Sequence, residues 1–156
     1  MRYILSIGTN MGDRRDNLLR AVEAINSVPN TNVLQQSSVY STEPVGYANQ
    51  QDFYNICLLA DSQLDPHELL GVCLGIEAGF GRVRNIKNGP RILDIDLILA
   101  ENYSCETCNL ILPHPRYHQR RFVLQPMLDI FPDGRAFGID FGHYIDGIQG
   151  QSVVPV

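Results

Sequence analysis

No stretch of this chain is apolar for long enough to cross a bilayer as a helix, which takes about 20 residues. Positive charge is scarce too. Twelve basic against 17 acidic residues give a formal charge of −5, so the surface as a whole offers nucleic acid little attraction. The compositional mark of disorder is missing, since 44% of residues are hydrophobic and 19% charged. The opening Met1-Arg2-Tyr3-Ile4-Leu5-Ser6-Ile7-Gly8 is too short an apolar stretch for a signal peptide and carries no cleavage pattern, so a cytoplasmic location is expected. Internal repeats and linkers are absent, and 156 residues suit one domain over 1–156 with one full core.

Two catalytic signatures are also lacking. Between Gly8 and Gly12 there is no Lys to complete a phosphate-binding P-loop, and the protein-kinase motif set does not occur. Any phosphoryl chemistry here needs another scaffold. The four cysteines give little. Cys57 and Cys73 fall within apolar patterns and read as small core residues. Cys105 and Cys108, with His114 and His118 downstream, invite a zinc reading. Their spacing is tighter than that of a zinc finger and no second C-x-x-C exists, so two reduced loop thiols are expected.

What is present alternates in period. Residues 3–7 read as a strand, and Leu18, Leu19, Val22 and Ile25 recur at helical spacing over 14–27. Strands follow at 33–41 and 53–60. Asp65, Pro66 and Glu68 spell a capping box for a helix running to about 78, which Gly79 and Gly81 end. Residues 92–99 form a strongly apolar strand, a short segment precedes Pro113, a helix is expected over 117–130, and the tail reads as irregular. The order βαββαβ predicts an α+β, ferredoxin-like sandwich: a mainly antiparallel sheet, both helices on one face, and an elaborated C-terminal part. That scaffold is reused for many functions.

The chemistry concentrates in two places. In Ile92-Leu93-Asp94-Ile95-Asp96-Leu97-Ile98-Leu99, two carboxylates interrupt an apolar strand. Period-two geometry points Asp94 and Asp96 to one face. Like charges side by side are costly without compensation, and magnesium suits a pair of carboxylates plus substrate phosphates. The competing reading is a solvated strand face, against which Ile92 and Ile98 on the same face argue. Seven of the 12 basic residues, Arg82, Arg84, Lys87, Arg91, Arg116, Arg120 and Arg121, crowd into 82–121. Cations beside an acidic pair suit a polyphosphate, although a solvated loop with scattered charge would share that composition. His114, between Pro113 and Pro115, sits in a stiff turn, where it either caps backbone groups or donates to phosphate beside Arg120.

Several segments together resemble the hydroxymethyl-dihydropterin pyrophosphokinase family of folate biosynthesis. They are Ile7-Gly8-Thr9-Asn10-Met11-Gly12, Ser38-Val39-Tyr40-Ser41-Thr42-Glu43-Pro44-Val45-Gly46, Gln50-Gln51-Asp52-Phe53-Tyr54-Asn55, Ile76-Glu77 and Gly81-Arg82-Val83-Arg84. The series continues with Gly89-Pro90-Arg91-Ile92-Leu93-Asp94-Ile95-Asp96, Leu112-Pro113-His114-Pro115-Arg116, Arg121-Phe122-Val123-Leu124 and Pro126. They arrive in family order over roughly 4–132.

The resemblance implies transfer of pyrophosphate from ATP to 6-hydroxymethyl-7,8-dihydropterin, giving the pterin diphosphate and AMP. It assigns two magnesium ions to Asp94 and Asp96, and phosphate contacts during transfer to Arg82 and Arg91. It places Glu77, Arg84, Leu97, His114 and Arg120 around ATP, and Thr42, Pro44, Val45, Phe53, Asn55 and Phe122 around the pterin. Two aromatic rings can stack a flat pterin and an Asn amide can read its edge. With no His–acid dyad in the sequence, Asp96 is the candidate to take the hydroxyl proton. The departures are a loop over 82–91 one residue shorter than in some members, Asn88 where an aromatic can occur, Leu74 for a polar residue, and Asn109 for a cation; they bear on affinity more than on activity. The expected partners are the two small substrates, with no nucleic acid and no membrane, and the expected state is a monomer. A binding-only module on the same sheet would not need the Asp pair or the two loop arginines. An RNA-binding sheet would show aromatics, which strand 92–99 lacks. A relative acting on another alcohol would share all these features.

Overall fold

The computed structural model describes residues 1–44, 49–81 and 92–156. The order is β1 (Arg2–Thr9), α1 (Arg14–Asn26), β2 (Thr31–Gln36), β3 (Tyr40–Thr42), β4 (Phe53–Ser62), α2 (Pro66–Gly79) and β5 (Asp94–Ala100). A small hairpin follows, β6 (Cys105–Glu106) with β7 (Ile111–Leu112), and then α3 (Arg121–Ile130). The chain ends with a second hairpin, β8 (Arg135–Ala136) and β9 (Ile139–Asp140), and with β10 (Val153–Pro155). In the main sheet β10, β3, β4, β1 and β5 lie side by side, and β2 also pairs with β4. Every pairing is antiparallel. This is the ferredoxin-like arrangement, with the second strand of the motif divided between β2 and β3.

Local chemistry accounts for the elements. The Asp13 side chain accepts from the Asp16 amide at the start of α1, which buries Leu18, Ala21 and Ile25. The expected capping box opens α2, with Asp65 and Glu68 each accepting from the other's amide and Pro66 at the start. Gly81 leaves that helix at φ +76°, a left-handed conformation open to glycine at no cost. The single strand expected over 33–41 is broken. The register slips between Val33 and Gln35, and the Ser37 hydroxyl accepts from the Cys57 amide in place of a backbone carbonyl. The helix expected over 117–130 is also divided, into a 3-10 turn at Tyr117–Gln119 and α3, because Arg120 is extended at φ −118°, ψ 102°. The tail is not irregular throughout: β10 adds a strand to the sheet edge beside β3.

The two sheet faces are covered differently. Tyr3, Leu5, Ile7, Ile56, Leu58, Ile95 and Leu97 pack beneath α1 and α2 in one apolar cluster. On the other face Ile4, Cys57, Leu59, Ile98 and Leu99 pack beneath Val123, Leu124, Met127 and Ile130 of α3. Each fully buried Leu or Ile contributes about 1.5–3 kcal/mol. Cys57 and Cys73 are both buried, as expected, and burial pushes both thiols up, Cys73 to about 12. Among the described residues no helix is long and apolar enough to cross a membrane.

A polar joint ties α3 to the start of β3. Asp129, on α3, accepts from the Ser38 amide at 3.0 Å and from the Tyr40 hydroxyl at 2.8 Å. Burial first and this carboxylate second push the Tyr40 hydroxyl up to about 12. Asp129→Ala removes both acceptors and should cost about 1–3 kcal/mol. Urea denaturation of the variant measures that loss.

Candidate active site

The second sheet face changes character along its strands. The set Ile4, Ser6, Gly8 on β1 lies opposite Leu59, Cys57, Asn55 on β4, and Ser6 and Gly8 lie opposite Asp96 and Asp94 on β5. At one end the row is apolar and α3 covers it. At the other it is Ser6, Gly8, Asn55, Asp94 and Asp96, and it opens into a cavity of about 550 Å³. The period-two reading is correct in that both carboxylates face the same hollow. They are not buried: Asp94 is half-buried and the Asp96 side chain is 44% exposed. Water and cations therefore share the cost of bringing them together.

Gly8 makes the hollow possible. It stands between Asn55 and Asp94 in the sheet, and a Cβ placed there would lie 2.7 Å from Asn55 Oδ1. Asn55 cannot swing aside easily, because it is buried and its Nδ2 donates to Thr42 Oγ1 at 2.7 Å. Phe53 lies on the next pleat of β4, opposite Thr42 on β3, and both line the cavity. Phe122 closes in from the first turn of α3.

The cationic side comes from the bend before α3. Arg120 reaches Asp96 Oδ2 at 3.8 Å, and its guanidinium carbon lies 5.5 Å from the Phe122 ring centre. Arg116 and His114 also line the cavity. The His114 amide donates to the Ile98 carbonyl at 2.8 Å, which fastens the turn to β5. His114 Nδ1 accepts from the Arg116 amide at 3.1 Å, leaving Nε2 to carry the proton of the neutral ring. Its pKa is lowered, chiefly by burial and then by Arg120 and Arg116 against the pull of Asp96. Of the two uses expected of His114, the backbone one is present: Nδ1 accepts the Arg116 amide.

A second cavity of about 270 Å³ adjoins the first through Asp96 and His114. Leu97, Leu70 and Ile95 form its apolar side, and the β6–β7 hairpin, including Cys108 and Asn109, forms another. Cys105 Sγ points at the Leu110 carbonyl, 3.6 Å away, and no group of three or more metal-binding side chains occurs among the described residues.

Glu77 is not among the residues lining either cavity. It is buried on α2, and its Oε2 accepts from the Ile95 amide at 2.8 Å. Ile95 lies between the two aspartates, so Glu77 grips the strand from behind the site. Pro44 is half-buried beside Glu43, which does line the main cavity. Val45, Arg82, Arg84 and Arg91 lie outside the described residues. Ser6, Gln119 and Gln151 line the main cavity without having been singled out from sequence. No motif marks them, and Gln151 comes from a tail read as irregular.

The geometry can be set beside known proteins. Residues 4–132 match the model of 7,8-dihydro-6-hydroxymethylpterin-pyrophosphokinase (HPPK). The chain belongs to this family. A Methylorubrum extorquens 2-amino-4-hydroxy-6-hydroxymethyldihydropteridine pyrophosphokinase is 42% identical over 132 residues, covering 85% of this chain and 84% of that protein. The Bacillus subtilis protein of the same name is 40% identical over 126 residues, covering 81% and 75%. The fold matches Plasmodium falciparum HPPK-DHPS with a TM-score of 0.66 at 14% identity, over 94% of this chain and 43% of that longer one. As an HPPK, the chain is a pyrophosphokinase of folate biosynthesis.

Glu77→Ala would leave the Ile95 amide buried without this acceptor. A loss of about 1–3 kcal/mol is expected, together with faster hydrogen exchange at the Ile95 amide, read by NMR.

Proposed function

We propose that the main cavity holds the pterin and the ATP phosphates together, and that the adjoining cavity holds the rest of the nucleotide. The observation that carries this is the meeting of Asp94, Asp96 and Arg120 with Phe53, Asn55 and Phe122 in a single hollow. Phe53 and Phe122 would stack the flat pterin. The Asn55 amide, held by Thr42, would read its edge. Leu97 and His114 would contact the nucleotide from the apolar cavity, and Arg120 would meet its phosphates. Glu77 would serve ATP indirectly, through the strand it grips. The roles expected of Pro44, Val45, Arg82, Arg84 and Arg91 stand as proposals from the family resemblance, and all of these except Pro44 lie outside the described residues.

The reaction joins the pterin hydroxymethyl oxygen to the β-phosphorus of ATP and breaks the bond from that phosphorus to the α-phosphate oxygen, releasing AMP. Asp94 and Asp96 would hold two magnesium ions. An all-oxygen donor pair in an open hollow fits that hard cation, which keeps waters and phosphate oxygens as its other ligands. Bound there, magnesium supplies charge neutralisation at the phosphates. The chain's own contributions are to orient the alcohol between two rings, to place Arg120 and the neutral His114 donor at the phosphates, and to offer Asp96 as acceptor of the hydroxyl proton. Since ATP is the co-substrate, we place the enzyme in the cytoplasm, acting as a monomer on two small molecules. The formal charge of −5 gives no reason to add a nucleic acid.

In the presence of ATP, magnesium and the reduced hydroxymethyl-pterin, the wild type should release AMP only when the pterin is present. Asp94→Ala should abolish that release and the magnesium-dependent part of nucleotide binding in calorimetry. Tight ATP binding without AMP in the wild type would instead indicate an alcohol other than this pterin. Gly8→Ala should press on Asn55 and weaken pterin binding by about 1–3 kcal/mol, roughly five- to 150-fold. The readout is the pterin KM, with ATP binding less affected. An unchanged KM would remove Gly8 and Asn55 from the pterin pocket.

A further inference from the structure

Helix α3 starts at Arg121, and the residue before it, Arg120, has a side chain with no hydrogen-bond acceptor. The amides at a helix start need acceptors from elsewhere. The Val123 and Leu124 amides use the Arg120 carbonyl. The Arg121 amide is served by Gln151 Oε1, 30 residues away, at 2.9 Å. The other end of the same side chain, Gln151 Nε2, donates to the Gln119 carbonyl at 2.9 Å. One amide group therefore clamps the residues on either side of Arg120. The extended backbone at Arg120 is the kink that separates the 3-10 turn from α3 and sends its guanidinium toward Asp96.

The segment that carries Gln151 is anchored on both sides of it. Arg121 reaches back and donates from Nη2 to the carbonyls of Ile148, at 2.9 Å, and Ile145, at 3.3 Å. Two residues after Gln151 the chain enters β10, where Val153 pairs with Thr42 and the Val156 amide donates to the Val39 carbonyl. Thr42 is the residue that fixes Asn55. The tail thus connects the strand beneath the pterin pocket to the bend that carries Arg120. Gln151 lies beyond residue 132, where the match to the family model ends.

We infer that Gln151 is a positioning residue for Arg120, a clamp by which the C-terminal segment fixes the phosphate-facing guanidinium of the active site. This rests on the proposed role of Arg120 at the ATP phosphates. Gln151 contributes no charge and takes no part in bond making. It sets the kink, and the kink sets the direction of Arg120. Losing the clamp leaves Arg120 in place in the sequence but unaimed. Misplacing a working group by about 1 Å can cost roughly a hundredfold.

The test is a double-mutant cycle on kcat/KM for ATP, followed as pterin-dependent AMP release, with Gln151→Met, Arg120→Ala and the double variant. Met keeps the length and volume of Gln but can neither cap Arg121 nor bond Gln119, so the fold should hold. Gln151→Ala provides a second version. The expected result is a fall of about tenfold or more for Gln151→Met in the presence of Arg120 and less than about twofold in its absence, the mark of residues acting as a unit. The Arg121 amide should exchange faster in Gln151→Met while β1 amides do not change. An equal fall in both backgrounds, or no fall, overturns the clamp while leaving the ATP role of Arg120 standing. If Arg120→Ala alone leaves kcat/KM for ATP unchanged, the Arg120 reading fails, and the inference goes with it.

Discussion

Two carboxylates one pleat apart on the same sheet face cannot be covered by a helix. Like charges side by side repel, and sealing them from water adds several kcal/mol more unless cations compensate. Most of the design of this face answers that constraint. α3 covers the row where it reads Ile4, Cys57, Leu59 and Ile98, and the chain is bent at Arg120, short of Asp94 and Asp96. The uncovered part of the sheet becomes the cavity. Arg120, Arg116 and His114 line it, and the same bend that spares the carboxylates carries the Arg120 guanidinium to Asp96.

The hollow also depends on small residues on the central strand. Ser6 and Gly8 leave β1 without bulk where its neighbours carry Asn55, Asp94 and Asp96. A side chain at Gly8 would collide with Asn55, whose own amide is fixed by Thr42. Shape on one strand thus decides what the adjacent strands can present. Behind the sheet, Glu77 holds the Ile95 amide, so the strand carrying the carboxylates is fixed from the helix side as well. Hydrogen bonds thus hold the site from within the cavity, through Thr42 and Gln151, and from behind it, through Glu77.

Much of this was legible in the sequence. The alternation in β5 correctly assigned Asp94 and Asp96 to one face, because side-chain direction in a strand is a local property with period two. The capping box of α2 was legible for the same reason, since its two hydrogen bonds span three residues. The breaks were not. The interruption at Ser37 needs the Cys57 amide 20 residues away, and the helix start at Arg121, just after the kink, has its capping acceptor 30 residues on. No window of sequence contains both partners of either bond.

By itself the sequence determined the βαββαβ order, the acidic pair and the cluster of cations, all of which follow from period, composition and motif. Only the tertiary structure decided that Glu77 holds the Ile95 amide from the helix side of the strand, and that the carboxylates are half open rather than buried. It also turned an unremarked tail into the edge strand and clamp beside the site. The physical reason is one of range. Backbone periodicity acts over a few residues, whereas exposure and hydrogen-bond partnership depend on which distant segments the packed sheet brings together.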